Sequence, residues 1–537
     1  MTFDDLDERL RGLWKGPLLP TLLTAIVHYP IVADYFKHDD FIHLYQIANH
    51  GFWEFLLTPH GGHLLATSNL VFYVLFQLFG LQAEVYHGVA LATHLLNVAL
   101  LYHVIHRITD SRCLAVFGAA LWGMAPIDRG SIGWFSVYGH VLATTLILWV
   151  LVDVARLRKA AAAVPAWTLV RWYVLLMGAA MSFGVGLGVA ACFGIVVFSM
   201  LPEAPNRRRV SVVLSTLLVV LPGLFVLQHS VFESLFGPLI SDGRDAVLQL
   251  YRVPELIAMS AQLLAFASAS LALGLVVRGD HGNQLLPVFQ GHETALAWFT
   301  FGVGSALVGL VLVVLWRTRG GRMPIVGFGV MAVVAYAVIA AGRIGVMGRA
   351  PSMLWMVSSP RYHYLGTLAI CLVLMTSLAR AAQNWSAPRR IGERFGWAIL
   401  VAWLLIALPL DMSTAGIGAS NAGARARSQH ERVLAFFRRV IAAKPEGAPI
   451  FIDNQRFKPV PTLRLDRFPG SAAAFVFSFP ENIVDGRRVY FVEKRHRVRK
   501  AARARAGTRI AELVVSRAQK AAIRERWLRN RRRRAVD

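Results

Sequence analysis

The chain has 537 residues, 56% of them hydrophobic, and a formal net charge of +25. Ordinary soluble domains are roughly 45–50% apolar, so this composition, with a mean hydropathy of +0.51, excludes one. A spanning barrel is excluded as well, because its strands read as short alternating segments, whereas several runs here approach or exceed the roughly 18–20 apolar residues that cross a bilayer as a helix.

The first 15 residues mix acidic and basic side chains (FDDLDERLRGLWK) and lack the order of a cleaved signal, so the following run, PLLPTLLTAIVHYPIVA, is expected to stay as an anchor. Lys and Arg near span ends remain on the cytoplasmic side. Arg9, Arg11 and Lys15 therefore place the N-terminus inside and the stretch 38–63, HDDFIHLYQIANHGFWEFLLTPHGGH, outside. The apolar segment 64–81 reads as an interfacial helix, because counting it as a crossing would turn the basic loop ARLRK outward. Residues 85–106 then run inward, 112–127 outward, the turn APIDRGSIGWFSVYG faces out, and 134–155 return.

Basic residues flank 172–201 on both sides (Arg171; Arg207 to Arg209), which requires an even number of passes, and the Gly-rich SFGVGLG at 182–188 predicts a hairpin of two short helices. Such a hairpin needs its turn buried in protein or wetted. Further spans are expected near 211–229, 296–316, 323–341, 362–380 and 395–411, with 256–277 re-entrant because a single crossing breaks the count. Cys113, Cys192 and Cys371 lie in apolar runs without metal-ligand spacing and read as small core residues.

From residue 412 onward there are 29 Lys and Arg against 10 Asp and Glu, so +19 of the +25 sits in the last quarter. Long domains translocate largely regardless of charge, and the residues close to the last span put this tail outside. HERVLAFFRRVIAA has helical spacing, while APIFIDN, AAAFVFSF and RRVYFVE read as strands. The expected organisation is a transmembrane domain over 1–411 with an external loop at 34–84, a small α/β domain over 412–515 and a basic tail over 516–537. RERWLRNRRRR in that tail reads equally as a solvated end or as a segment attracted to anionic headgroups.

Asp39 and Asp40 follow the first span at the depth where headgroups meet water. An ordinary solvated loop end is the bland reading. Against it stand His60 and His63, spaced by two glycines, and the aromatic run Phe52, Trp53, Phe55, where a loop needing only solubility would use Lys, Ser or Glu. His94 and Asn97 lie one turn apart inside a span, where helix-to-helix hydrogen bonding is the favoured reading. Asp128, Arg129, Tyr138 and His140 fall on the same outer face; Asp128 with Arg129 reads equally as a local ion pair.

Five features taken together resemble the GT-C glycosyltransferases, most of all the bacterial relatives of the tetratricopeptide-associated transmembrane O-mannosyltransferases. They are HDD in the first external loop; GGH before an apolar helix ending LFG; YHGVALATHLLNVALLYHVIHRITDSR; ALWGMAPIDRGSIGWFSVYGH; and SSPRYHYLG at 358–366, similar to an Arg-Tyr motif that opens a late span. The tail departs from that family, since it carries no 34-residue helical repeat. The resemblance implies an all-α polytopic membrane bundle of about ten or more transmembrane helices. It also implies transfer of a sugar from a polyprenyl-phosphate carrier to an acceptor glycan, lipid or protein at the periplasmic face of the inner membrane, with no nucleic acid involved. By resemblance Asp39 matches the catalytic carboxylate and Asp40 its orienting partner. Arg361 with Tyr362 is the phosphate-binding candidate, its bland reading being a snorkelling interface arginine. His60, His63, Asp128, Arg129 and His140 complete the expected substrate-binding set. No cofactor is certain; a divalent cation held by His60, His63 and an aspartate stays open. The rival reading, a non-catalytic lipid-carrier protein or solute transporter, is disfavoured because no paired halves are visible and the ionisable groups gather at one interface rather than at mid-membrane.

Overall fold

The computed structural model describes residues 16–36, 39–49, 51–59, 63–236, 252–273, 293–318, 322–347 and 359–383. Past that point it describes positions 398, 403–405, 428, 439, 443, 445, 448–453, 489–492 and 514–534. The anchor forms α1 (Leu18–His28), continued by a 3-10 turn over Tyr29–Ala33. The stretch after it folds into three short helices, α2 (Asp40–Asn49), α3 (Phe52–Leu57) and α4 (Ala66–Phe79). With 14 residues, α4 is about 21 Å long at 1.5 Å per residue, shorter than the roughly 30 Å hydrocarbon core.

The bundle proper begins with α5 (Ala83–Thr109) and α6 (Arg112–Gly123), followed by α7 (Gly139–Ala160). Two breaks, at Met181–Phe183 and at Cys192, divide the next run into α8 (Ala166–Ala180), α9 (Gly184–Ala191) and α10 (Phe193–Met200). The hairpin is therefore longer than expected and starts before Arg171. Its turn is buried in protein: Ser182 is inaccessible, accepts a bond from Ser68 at 3.1 Å and crowds Gly139 at the start of α7. Its return arm ends where Asn206 bonds the backbone of Val164 in both directions, at 2.9 and 3.0 Å.

Next come α11 (Arg207–Ser215), α12 (Leu217–Phe236), α13 (Val253–Leu273), α14 (Glu293–Arg317), α15 (Met323–Met347) and α16 (Tyr364–Gln383). Seven of the described helical stretches are long and apolar enough to cross a membrane, and the fold is a polytopic helical bundle. α13 is one of them, an unbroken helix, so the re-entrant reading of 256–277 gives way to a crossing segment. On α14, Trp298 and Trp316 are 71% and 78% exposed. Eighteen residues apart, they stand roughly 27 Å from one another, the spacing of two interfacial aromatic belts.

α5 packs on α6 and α7, and α16 on α15 and α6. Small residues let these backbones approach, as expected where lipid removes the hydrophobic drive between helices. A Cβ on Gly118 would sit 2.6 Å from Met375 Cγ, and one on Gly366 would meet the Tyr336 ring. The polar groups inside are bonded across helices. His94 bonds the Gly123 carbonyl through Nε2 (2.9 Å) and the Tyr364 hydroxyl through Nδ1 (2.6 Å), and Asn97 donates to Val141 O and to Tyr364, both at 3.1 Å. Since a carbonyl only accepts, Nε2 of His94 carries the proton and Nδ1 accepts from Tyr364. Cys113 and Cys371 are buried and Cys192 is half-buried; all three are free thiols.

Near the C-terminus, β1 (Ile450–Asp453), β2 (Val489–Val492) and β3 (Val514–Val515) form a parallel sheet in that order, and α17 (Arg517–Arg534) follows β3. APIFIDN and RRVYFVE contain β1 and β2. The expected strand AAAFVFSF, the boundaries of the 412–515 domain and most of the 395–411 span and of HERVLAFFRRVIAA lie outside the described residues.

Candidate functional site

The site lies where α1, the α2–α4 loop, the α6–α7 turn and the start of α16 converge at one end of the bundle. The α6–α7 turn is held by two acidic residues from the first loop. Asp40 is buried and its Oδ1 accepts the backbone N–H of Ser136 at 2.5 Å. Asp34, also buried, pairs with Arg129 at 3.8 Å. Arg129 therefore answers Asp34, and the local Asp128–Arg129 pair is not formed. Asp39 stays half-buried beside Asp40, within electrostatic reach of Arg343 on α15.

The same turn meets the PRY segment backbone to backbone. Ser131 donates its hydroxyl to the carbonyl of Arg361 at 3.1 Å, and a Cβ on Gly130 would stand 2.6 Å from the Arg361 nitrogen. Only glycine permits that approach, and it fixes where Arg361 emerges. Its guanidinium then lies 4.6 Å from the centroid of Tyr362 and 5.0 Å from that of Trp134, and donates to the Tyr362 hydroxyl at 3.0 Å. Arg343 lies over the Tyr362 ring at 4.8 Å. Two guanidinium groups thus share one tyrosine, and among the described residues neither forms an ion pair. Stacking on an aromatic face holds a guanidinium in place while leaving its N–H fork open.

On the far side, Phe183 from the buried hairpin turn lies between two imidazoles, 4.4 Å from His63 and 3.9 Å from His140. Both ring nitrogens of His140 are buried without a hydrogen-bond partner among the described residues. The charges of His63, Arg361, Arg343 and His363 all fall within reach of that ring. Asp128 is fully buried and neither of its oxygens has a hydrogen-bond partner among the described residues. Burial pushes its carboxyl well above the usual carboxylate range, which favours the protonated form.

Asp39, Asp40, His63, Asp128, Arg129, His140, Arg361 and Tyr362 therefore converge, while His60 lies outside the described residues. Among the described residues no group of three or more His, Cys, Asp or Glu side chains is arranged to hold a metal ion. Sequence reasoning missed Arg343, Trp134 and Asp34. For Arg343 the signal was there, a lone cation in the apolar run AVIAAGRIGVM, because intramembrane charges usually mark functional sites.

No family model matches the chain, and no curated protein does. Among solved structures the chain is similar to ArnT from Cupriavidus metallidurans bound to undecaprenyl phosphate, at 12% identity over 90% of this chain and 86% of that one, with a TM-score of 0.42. It is likewise similar to the apo state of the same protein, at 13% identity over 92% and 88% of the two chains, with a TM-score of 0.43. The functional reading accordingly rests on this chain's own residues and their geometry.

Proposed function

We propose that the protein is a GT-C-like membrane glycosyltransferase that moves a sugar, a hexosyl group by family resemblance, from a polyprenyl-phosphate donor to an acceptor hydroxyl. The face would be the periplasmic side of the inner membrane, and the acceptor a glycan, lipid or protein. One observation carries the reading: Arg343 and Arg361 stack on Tyr362 without an ion pair among the described residues, and the half-buried Asp39 lies within electrostatic reach of Arg343. Uncompensated cations at a membrane edge suit an anionic headgroup, and a carboxylate next to them suits removal of a proton.

In this mechanism the acceptor oxygen attacks the anomeric carbon from the side opposite the phosphate while its proton passes to Asp39. The bond between the anomeric carbon and the phosphate oxygen breaks, and the configuration inverts. A positioned base of this kind typically contributes roughly 10²- to 10⁴-fold. The leaving group carries its new negative charge onto the forked donors of Arg343 and Arg361, preorganised donors of the sort that dominate such catalysis. Asp40 is spent on the Ser136 amide, which supports a positioning role for it and the base role for Asp39. His63 and His140, on the two sides of Phe183, are the groups that would contact the sugar.

The test is release of sugar from a radiolabelled polyprenyl-phosphate sugar by the purified protein in lipid, with wild type compared with Asp39→Asn and Asp40→Asn at equal folded yield. Turnover by wild type and its loss in Asp39→Asn, with donor binding retained, is the expected result. If wild type binds the donor and transfers it to no acceptor pool, or if both variants match it, the catalytic reading fails and a carrier-handling protein takes its place.

A further inference from the structure

The last helix is not a loose tail. Ser516 caps it reciprocally: its hydroxyl accepts from Gln519 N at 3.2 Å, and the Gln519 side chain accepts from Ser516 N at 2.9 Å. This capping box fixes the start of α17 directly after β3. Ile523 packs on Tyr490 of the sheet, as Phe451 does, and Lys520 lies 5.4 Å from the Phe451 ring centroid. Over Arg517–Arg534 the sequence carries nine Lys and Arg against one acidic residue, Glu525. Folding this segment into a docked helix concentrates that charge on a surface of fixed shape.

At about 100° per residue, Lys520, Ile523 and Trp527 share the side facing the sheet, and Leu528 lies to the flank of that side, roughly 80–140° round from them. Leu528 is 38% exposed, and Arg524 and Arg532, both exposed, flank it one turn to either side. Arg526, Arg529 and Arg531 are exposed as well, with Arg531 lying 5.4 Å from the Trp527 ring centroid. An exposed leucine among arginines, with a half-buried tryptophan beside it, is the composition of a surface that meets headgroups and inserts slightly below them. A soluble polyanion would use the charge and leave the leucine wasted.

We propose that α17 is a docking surface for anionic phospholipid headgroups of the membrane in which the chain is anchored. Tethering by the bundle supplies the proximity, because a linked second contact forms at high effective concentration. The arginines of α17 supply the attraction, which salt screens as its range contracts to about 3 Å in molar salt. The inference is independent of the sugar-transfer reading and holds whichever reaction the bundle performs.

The test uses the full chain in nanodiscs, with its three cysteines replaced by alanine and an environment-sensitive dye on Ala521→Cys, an exposed position on the outward side of α17. In discs containing one part in three phosphatidylglycerol the dye emission shifts to the blue and is quenched by brominated lipid; in pure phosphatidylcholine discs it does neither. Molar salt abolishes the shift. Replacing Arg524, Arg526, Arg529, Arg531 and Arg532 by glutamine abolishes it too, whereas replacing the same five by lysine keeps it and controls for folding. The proposal is overturned if emission is the same in both discs, if the shift survives salt, or if inorganic polyphosphate shifts the dye while anionic discs do not. Should the glutamine variant fail to fold, the salt titration of the unsubstituted helix decides alone.

Discussion

The two ends of the bundle hold the same kinds of charged residue and use them in opposite ways. At the end away from the candidate site, two of the cations are answered by carboxylates. Lys159 pairs with Asp110 at 2.5 Å, both 62% exposed, and Arg171 pairs with Asp153, which also accepts from the indole of Trp172 at 3.0 Å. Arg158 sits there as well, within reach of both Arg380 and Glu203. At the site end, Arg343 and Arg361 rest on aromatic rings without an ion pair, and Asp128 and His140 are buried without hydrogen-bond partners among the described residues. Exposed pairs of the first kind contribute about 0–1 kcal/mol and serve mainly topology. Uncompensated groups of the second kind cost stability, and their persistence points to a ligand that completes them.

The sharpest way to break this contrast is to remove the proposed base. Asp39→Asn should lower turnover by roughly 10²- to 10⁴-fold with donor binding intact; a variant within a few-fold of wild type would remove Asp39 from the chemistry. Next come the arginines. Arg361→Ala and Arg343→Ala should each lower kcat/KM by roughly 10²- to 10³-fold. Lysine at either position should restore only part of that, because an ammonium neither stacks nor forks. Full rescue by lysine would reduce the pair to a diffuse positive field.

Gly130→Ala separates position from charge. The added methyl would meet the backbone of Arg361, so activity should fall about ten-fold or more while every charge is kept. Equal kcat and KM would mean that the PRY turn yields freely. Asp128 offers a pH test. Burial raises its folded-state pKa above the unfolded value, so between the ordinary carboxylate range and that raised value the folded protein holds a proton that the unfolded chain has released. Stability from this group is therefore full below the ordinary range and declines as pH rises. Thermal unfolding in nanodiscs from pH 5 to 8 should show that decline, and Asp128→Asn should flatten it; the same slope in both proteins would assign it elsewhere. Smallest of all, Lys159→Ala should change stability by about 1 kcal/mol or less and leave turnover unchanged.

The bundle was legible in the sequence because length and hydropathy announce a crossing helix, and the carboxylates of the first loop stood out as charges at a membrane edge. What stayed hidden follows from the same physics. Helices that are apolar all round do not reveal which side meets a neighbour, so Arg343, an oddity in its apolar run, could be assigned to the site only once α15 was packed beside the PRY turn. The second break of the hairpin, at Cys192, has no proline and no glycine cluster to mark it; Gly194 sits past it, pressed against Ser211 and Ser215 of α11. The Asp34–Arg129 pair joins residues 95 apart in the chain, a distance across which local spacing is silent. In the tail, the charge of RERWLRNRRRR masked the capping signal at Ser516 and Gln519 that turns it into a docked helix.

The central claim is that Arg343 and Arg361, which form no ion pair among the described residues, hold the phosphate of a lipid. Binding of a polyprenyl phosphate to the purified protein in nanodiscs tests it most directly, with wild type, Arg343→Ala and Lys159→Ala measured side by side. The account predicts a Kd raised about ten-fold or more by Arg343→Ala, the loss of a charge-assisted bond, and unchanged by Lys159→Ala. Equal affinity in all three proteins, or a loss shared by both variants, would contradict it.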